Sequence, residues 1–161
     1  GYVMRAWYDV SFGDLEGRSR QADEQGVRES QVQIAELIAR ENRRQIPSRN
    51  IVLAGFSQGG AVALQTGLRY PETLAGVMAL STYLPLAGSF AQEATPANAG
   101  TPVFMAHGTQ DPVVPYAMGK ASHERLQQAG YAVEWHDYPM PHSVCLEEIT
   151  DIGRWLGRVL G

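Results

Sequence analysis

The chain has 161 residues, 44% of them hydrophobic and 19% charged, which suits one globular domain over residues 1–161 and excludes intrinsic disorder. A formal net charge of −4 argues against nucleic acid or an anionic membrane surface as the main partner, and no apolar run is long enough to span a membrane. The single cysteine, Cys145, leaves no disulfide framework and no cysteine-based metal site; it fits a reducing compartment, so a cytoplasmic location is expected.

Residues 1–22 read as irregular, with Trp7 and Tyr8 as anchors. From Asp23 to Gln45, Val27, Ile34, Leu37 and Ile38 fall near helical spacing. Asp23 and Glu24 suit the first turn of that helix, Arg43 and Arg44 the last, and Pro47 marks the stop. Alternation follows. Ile51–Phe56 predicts a fully buried strand, 60–70 a helix ended by Pro71, and 74–81 a second strand. Residues 82–101, with Pro85, Gly88, Pro96 and Gly100, read as a long loop. A third strand is predicted over 103–107, a helix over 116–129 stopped by Gly130, and a fourth strand over 132–138. A closing helix over 146–160 carries Leu146, Ile149, Ile152, Leu156 and Val159 on one face. Strands alternating with helices imply right-handed crossovers and a parallel sheet covered on both faces. Chemistry in such sheets gathers at the carboxyl ends of the strands, here the segments after Phe56, Ser81, His107 and Tyr138.

The first of these segments is the most informative. Asn50–Ala61 runs from an apolar stretch into Gly55-Phe56-Ser57-Gln58-Gly59 and then into a predicted helix. That context turns a short Gly-x-Ser-x-Gly pattern into a nucleophile elbow, with Ser57 on a sharp strand-to-helix turn and small residues two before and two after it. The backbone N–H of Gln58 then faces the position where an oxyanion forms. The competing reading is a phosphate-binding turn, but the Lys-Ser/Thr of a P-loop and the G-x-G-x-x-G of a dinucleotide fold are both lacking.

A serine hydroxyl needs a general base, and the base needs an orienting carboxylate. His123 falls in a predicted helix, where a solvated position is expected. His136 falls inside a strand and points at a face. His107 ends the third strand but precedes every plausible acid, whereas the order with this elbow is Ser, acid, His. His142, in the loop after the last strand, is the candidate base. Asp111, in His107-Gly108-Thr109-Gln110-Asp111-Pro112, is the candidate acid; alone it could equally shape an Asp-Pro turn. Asp137 and Asp151 are weaker candidates.

At these residues the chain resembles the phospholipase/carboxylesterase family of α/β-hydrolases, which includes bacterial carboxylesterases and acyl-protein thioesterases. The resemblance rests on 53–60, on Ala79-Leu80-Ser81-Thr82-Tyr83-Leu84-Pro85, on 107–115, on Tyr138-Pro139-Met140-Pro141-His142, and on Trp7-Tyr8-Asp9. It implies a three-layer fold with a mostly parallel sheet, Ser57 as nucleophile, His142 as base and Asp111 as orienting acid. Two departures stand out. Family members usually carry Gly before the histidine, and here Pro141 stands there, fixing its own φ and biasing Met140 toward extended geometry. Members also carry a His-Gly-x-Gly loop that gives the second oxyanion N–H, and nothing before Gly55 matches it. The resemblance therefore implies a fold truncated on its N-terminal side. It also implies that Ile51–Phe56 forms an apolar sheet edge, to be covered by an N-terminal piece or a second copy of the chain.

The resulting expectation is a serine carboxylesterase acting on small esters of short to medium chain, and on thioesters, through an acyl-enzyme, with no metal or cofactor. Ser81 and Leu84, after the second strand, are candidates to line the substrate pocket. Two rivals are a lactone, dienelactone or peptide hydrolase on the same scaffold, and a non-catalytic half-domain that assembles with a partner chain. The elbow carries serine rather than the cysteine that would favour a dienelactone hydrolase.

Overall fold

The computed structural model describes residues 5–8 and 17–161, with side chains from position 23 onward in the longer stretch. Asp9 and the rest of the segment read as irregular up to residue 16 lie outside the described residues. Helix α1 spans Gly17–Arg43, starting six residues before the predicted Asp23. The added stretch, Gly-Arg-Ser-Arg-Gln-Ala, has no apolar periodicity to reveal it. The first turn therefore holds no acidic residue. The helix stops two residues before the predicted Gln45, which sits at φ 71°, a left-handed geometry that ends helices.

The elements that follow are β1 (Val52–Phe56), α2 (Gln58–Arg69), β2 (Gly76–Leu80), a short α3 (Phe90–Glu93), β3 (Val103–Gly108), α4 (Tyr116–Gln128), β4 (Val133–Tyr138) and α5 (Leu146–Leu160). The four strands form one parallel sheet in the order β1-β2-β3-β4. Their side chains alternate between faces as the pleat requires. Val77, Ala79, Val103 and Met105 pack against Leu64 and Leu68 of α2 and Leu126 of α4. Met78, Phe104 and Ala106 pack against Trp155 of α5. Helices thus cover both faces, and α1 forms an outer layer on α2, burying Val27 against Ala61 and Val62.

Three expectations need correction. The segment 82–101 is not plain loop: it contains α3 and a 3-10 turn, Pro96–Asn98. Buried Asn98 holds it, accepting from the Leu74 N–H and donating to the carbonyls of Tyr70 and Glu72, each at 2.9 Å. Buried Arg69 pairs with Glu93 at 2.8 Å from the other side. Burial pushes the Glu93 carboxyl up, but hydrogen bonds from Arg69, Arg28 and Ser89 outweigh it and hold it at about 2.

The closing helix does not bury its whole apolar stripe. Leu146 and Ile149 are 83% and 54% exposed, while Trp155, absent from the predicted stripe, is buried. Finally, β1 is not fully buried. It is an edge of the sheet among the described residues, and Phe56 is 39% exposed. A groove of about 450 Å³ runs between this edge and Ile34, Leu37 and Ile38 of α1. The apolar run alone predicted burial; the family resemblance predicted the edge.

Candidate active site

The loops at the carboxyl ends of the strands are stitched together by backbone hydrogen bonds. Ser57 N–H donates to the Leu80 carbonyl and Ser81 N–H to the Ala106 carbonyl, both at 2.8 Å. Thr109 N–H reaches the Tyr138 carbonyl at 2.9 Å, and Gln110 N–H the Met140 carbonyl at 3.1 Å. The last two bonds tie the loop carrying Asp111 to the loop carrying His142. Their approach is so close that a Cβ on Gly108 would lie 2.2 Å from the Met140 carbonyl oxygen.

Ser57 sits between β1 and α2 at φ 55° and ψ −119°. A non-glycine residue in that region costs on the order of 1–3 kcal/mol, so the surrounding chain must impose it. Part of the constraint is crowding beneath the serine: a Cβ on Gly55 would lie 2.1 Å from the Gly59 carbonyl. The second crowded glycine is Gly60, whose Cβ would meet the Thr82 side chain at 2.7 Å and the Gly55 carbonyl oxygen at 2.9 Å. At Gly59, the position named by the motif, the nearest atom would be 3.7 Å away. Gln58 opens α2, so its N–H has no intrahelical acceptor and lies at the positive end of the helix dipole.

Asp111 and His142, far apart in sequence, meet at 2.7 Å through Oδ2 and Nδ1. A carboxylate can only accept, so the Nδ1–H donates and Nε2 is left for other chemistry. The other oxygen of Asp111, Oδ1, accepts the N–H groups of Val113 and Val114 at 2.8 and 2.9 Å. Burial of this carboxyl pushes its pKa up, but the hydrogen bonds from His142 and the two amides outweigh that and hold it below its ordinary value. It is therefore an ionised acceptor at neutral pH. Pro141 does not prevent this pairing.

The His142 ring lies 4.7 Å, centroid to centroid, from the ring of Phe56, the residue before Ser57. The base candidate is thereby placed beside the elbow, although the Ser57 hydroxyl and His142 are not hydrogen-bonded in this structure.

The remaining candidates fall elsewhere. Ser81 lies next to the elbow but is 0% exposed, with its own left-handed φ of 52° and a hydroxyl without a partner among the described residues. Leu84 is 6% exposed and belongs to the main core. Ser81 offers no surface for a substrate, which corrects that expectation, and what little of Leu84 is exposed lines a groove shared with Met118, Ser122 and Arg125 rather than with Ser57 or His142. His136 packs on a strand face against Phe104 and Tyr138, as predicted. His123 is half-buried on Trp135 at 5.0 Å, rather than solvated.

Sequence reasoning missed one contact entirely. The Gln58 side chain clasps the early segment, its Oε1 accepting from Trp7 N–H at 3.2 Å and its Nε2 donating to the Tyr8 carbonyl at 2.6 Å. The tyrosine hydroxyl also meets that of Tyr83 at 2.7 Å. The reading of Trp7 and Tyr8 as anchors, with their place in the family resemblance, pointed to this segment but not to Gln58 as its partner.

A parallel sheet with helices on both faces, a strained serine at a strand-to-helix turn and a histidine–carboxylate pair at the sheet's carboxyl edge are the features of an α/β-hydrolase. The model of the phospholipase/carboxylesterase family matches residues 1–160, and the chain belongs to that family. It is 42% identical to acyl-protein thioesterase 1 of Mycosarcoma maydis over 99% of this chain and 71% of that protein. It is 44% identical to acyl-protein thioesterase 1 of Neurospora crassa over 97% of this chain and 66% of that protein. Among solved structures it resembles Arabidopsis thaliana SOBER1, with a TM-score of 0.88 and 32% identity over 100% of this chain and 77% of that one. The chain thus spans about two thirds to three quarters of the length of these relatives.

Proposed function

We propose that this chain carries the catalytic triad of a serine esterase: Ser57 as nucleophile, His142 as general base and Asp111 as the residue that orients it. The substrates are carboxylic esters of short to medium acyl chain, with thioesters as the second class suggested by the acyl-protein thioesterases it resembles. The lone cysteine fits a reducing compartment such as the cytoplasm.

The observation that carries the reading is the 2.7 Å Asp111–His142 bond, set beside the strained Ser57 by the Phe56–His142 ring contact. In acylation, Ser57 Oγ attacks the acyl carbon and its proton passes to His142 Nε2. The negative oxygen of the tetrahedral intermediate takes a hydrogen bond from Gln58 N–H. The intermediate collapses as His142 returns the proton to the departing alkoxide or thiolate. Water then attacks the acyl-enzyme by the same route in reverse, releasing the acid and the free serine. Serine hydroxyl–base contacts often tighten only when substrate binds, so closure of the Ser57–His142 gap is part of the reading.

A fluorophosphonate probe with a panel of p-nitrophenyl esters, an acyl thioester and an aminoacyl anilide tests it. Labelling of the wild type but not of Ser57→Ala, with ester or thioester turnover, is the expected result. Well-folded protein that neither labels nor turns over would favour an assembling half-domain. Turnover of the anilide alone would favour a peptidase.

A further inference from the structure

His107, set aside as a base because it precedes the acid in the chain, lies directly behind that acid. We infer that His107 is a positioning residue that locks the Asp111 carboxylate in the orientation His142 requires; this rests on the triad assignment above.

Three contacts carry the inference. His107 Nε2 lies 2.8 Å from the Val114 carbonyl oxygen, which can only accept, so this nitrogen carries a hydrogen and donates it. Val114 in turn donates its own N–H to Asp111 Oδ1 at 2.9 Å, so the histidine braces the turn that holds the carboxylate. The same Nε2 is 3.5 Å from Asp111 Oδ2, the oxygen that accepts from His142. One N–H therefore faces the carbonyl of the turn and the functional oxygen of the acid together.

The surroundings fit a ring held in one pose. His107 is 1% exposed. Trp135 stacks along it at 6.5 Å and 21°, and Tyr116 meets it edge-on at 6.1 Å and 71°. On the remaining side, Gly119 of α4 leaves the gap that admits the ring: a Cβ there would stand 2.3 Å from His107 Nδ1. A histidine serving only as core filler needs none of this directed polarity, and an aromatic of similar volume would replace it without consequence for Asp111.

The variants that separate the two roles are His107→Phe, which keeps a ring but has no donor, and His107→Gln, whose terminal amide reaches close to the position of Nε2. His107→Asn is the control, because its amide ends near Nδ1. The readouts are kcat and KM on the ester the wild type turns over best, thermal stability, and the downfield proton resonance of His142 Nδ1–H, assigned by its absence from His142→Gln.

The Phe and Asn variants should lose roughly tenfold to a hundredfold in kcat, the scale of a reacting group displaced by on the order of 1 Å, with KM within about twofold. Their His142 resonance should move or vanish, and the Gln variant should recover both signals. Folded Phe or Asn variants with wild-type kcat and an unmoved resonance would overturn the inference. If the Phe variant does not fold, equal behaviour of the Asn and Gln variants overturns it. The resonance does not depend on turnover, so an inactive wild type would count against the triad assignment and leave the positioning role separately decidable.

Discussion

Gln58, whose backbone N–H is the proposed oxyanion donor, holds Tyr8 through its side chain: Nε2 donates to the Tyr8 carbonyl at 2.6 Å. The residue after the proposed nucleophile is thus also a clasp on a segment 50 positions away. Gln58→Ala keeps the backbone donor and removes the clasp. Two hydrogen bonds at roughly 0.5–1.5 kcal/mol each predict a loss of about 1–3 kcal/mol in unfolding free energy, measured by urea titration. Unchanged stability would mean that Ser30, which donates to the Trp7 carbonyl, and Tyr83 hold the segment by themselves.

The two glycines after Gln58 should respond in opposite ways to alanine. Gly59 lies in α2 and a Cβ there would make only an ordinary van der Waals contact, with Trp7 Nε1 at 3.7 Å, so Gly59→Ala is expected to be neutral or to stabilise by about 0.5–1 kcal/mol. Gly60→Ala must push against the Thr82 side chain and the Gly55 carbonyl, and should destabilise by about 1–3 kcal/mol. Thermal melts of the two variants give the comparison. Equal behaviour would show that the elbow is looser than its geometry indicates.

Asp111→Asn preserves the shape of the acid loop but places an amide against His142 Nδ1, which favours the wrong tautomer. A loss in kcat of about 10⁴ is expected, read from initial rates. The carboxyl also has a stability signature. Its folded pKa is depressed, so its contribution is present above the unfolded value near 3.9 and is lost as pH falls through the folded one. The advantage of wild type over Asp111→Asn in chemical denaturation at pH 7 should therefore shrink below about pH 4. A constant difference through that range would contradict the pairing.

Glu148 in α5 behaves in the opposite sense. It is 0% exposed, and neither carboxyl oxygen has a hydrogen-bond partner among the described residues. Burial, and secondarily the charge of Asp151, pushes its pKa up to about 7. The folded state then binds the proton more tightly than the unfolded state, so stability falls as pH rises from about 4.3 through about 7. Glu148→Gln should match wild type near pH 4. Above pH 7 it should be more stable by up to roughly 4 kcal/mol, at about 1.4 kcal/mol for each pH unit separating the folded and unfolded values. Parallel stability curves for the two proteins from pH 4 to 8 would refute this.

The sequence by itself determined the order of strands and helices, because apolar periodicity and Gly/Pro punctuation are local signals. It also marked Ser57, Asp111 and His142 as candidates, because turn chemistry and chain order are written along the chain. What the tertiary structure decided is which groups meet. The Asp111–His142 bond, the seat of His107 behind it and the Gln58 clasp all join residues whose contact depends on strand register and loop packing. Burial was beyond the reach of local pattern: the apolar run 51–56 looks like a central strand, yet a strand's neighbours, not its composition, fix how deeply it lies, and only the family resemblance pointed to an edge. Leu84 and Ser81 passed from candidate pocket walls to buried positions for the same reason. Local pattern selects the element and the chemistry a residue can offer; only the assembled sheet sets the few ångströms over which that chemistry operates.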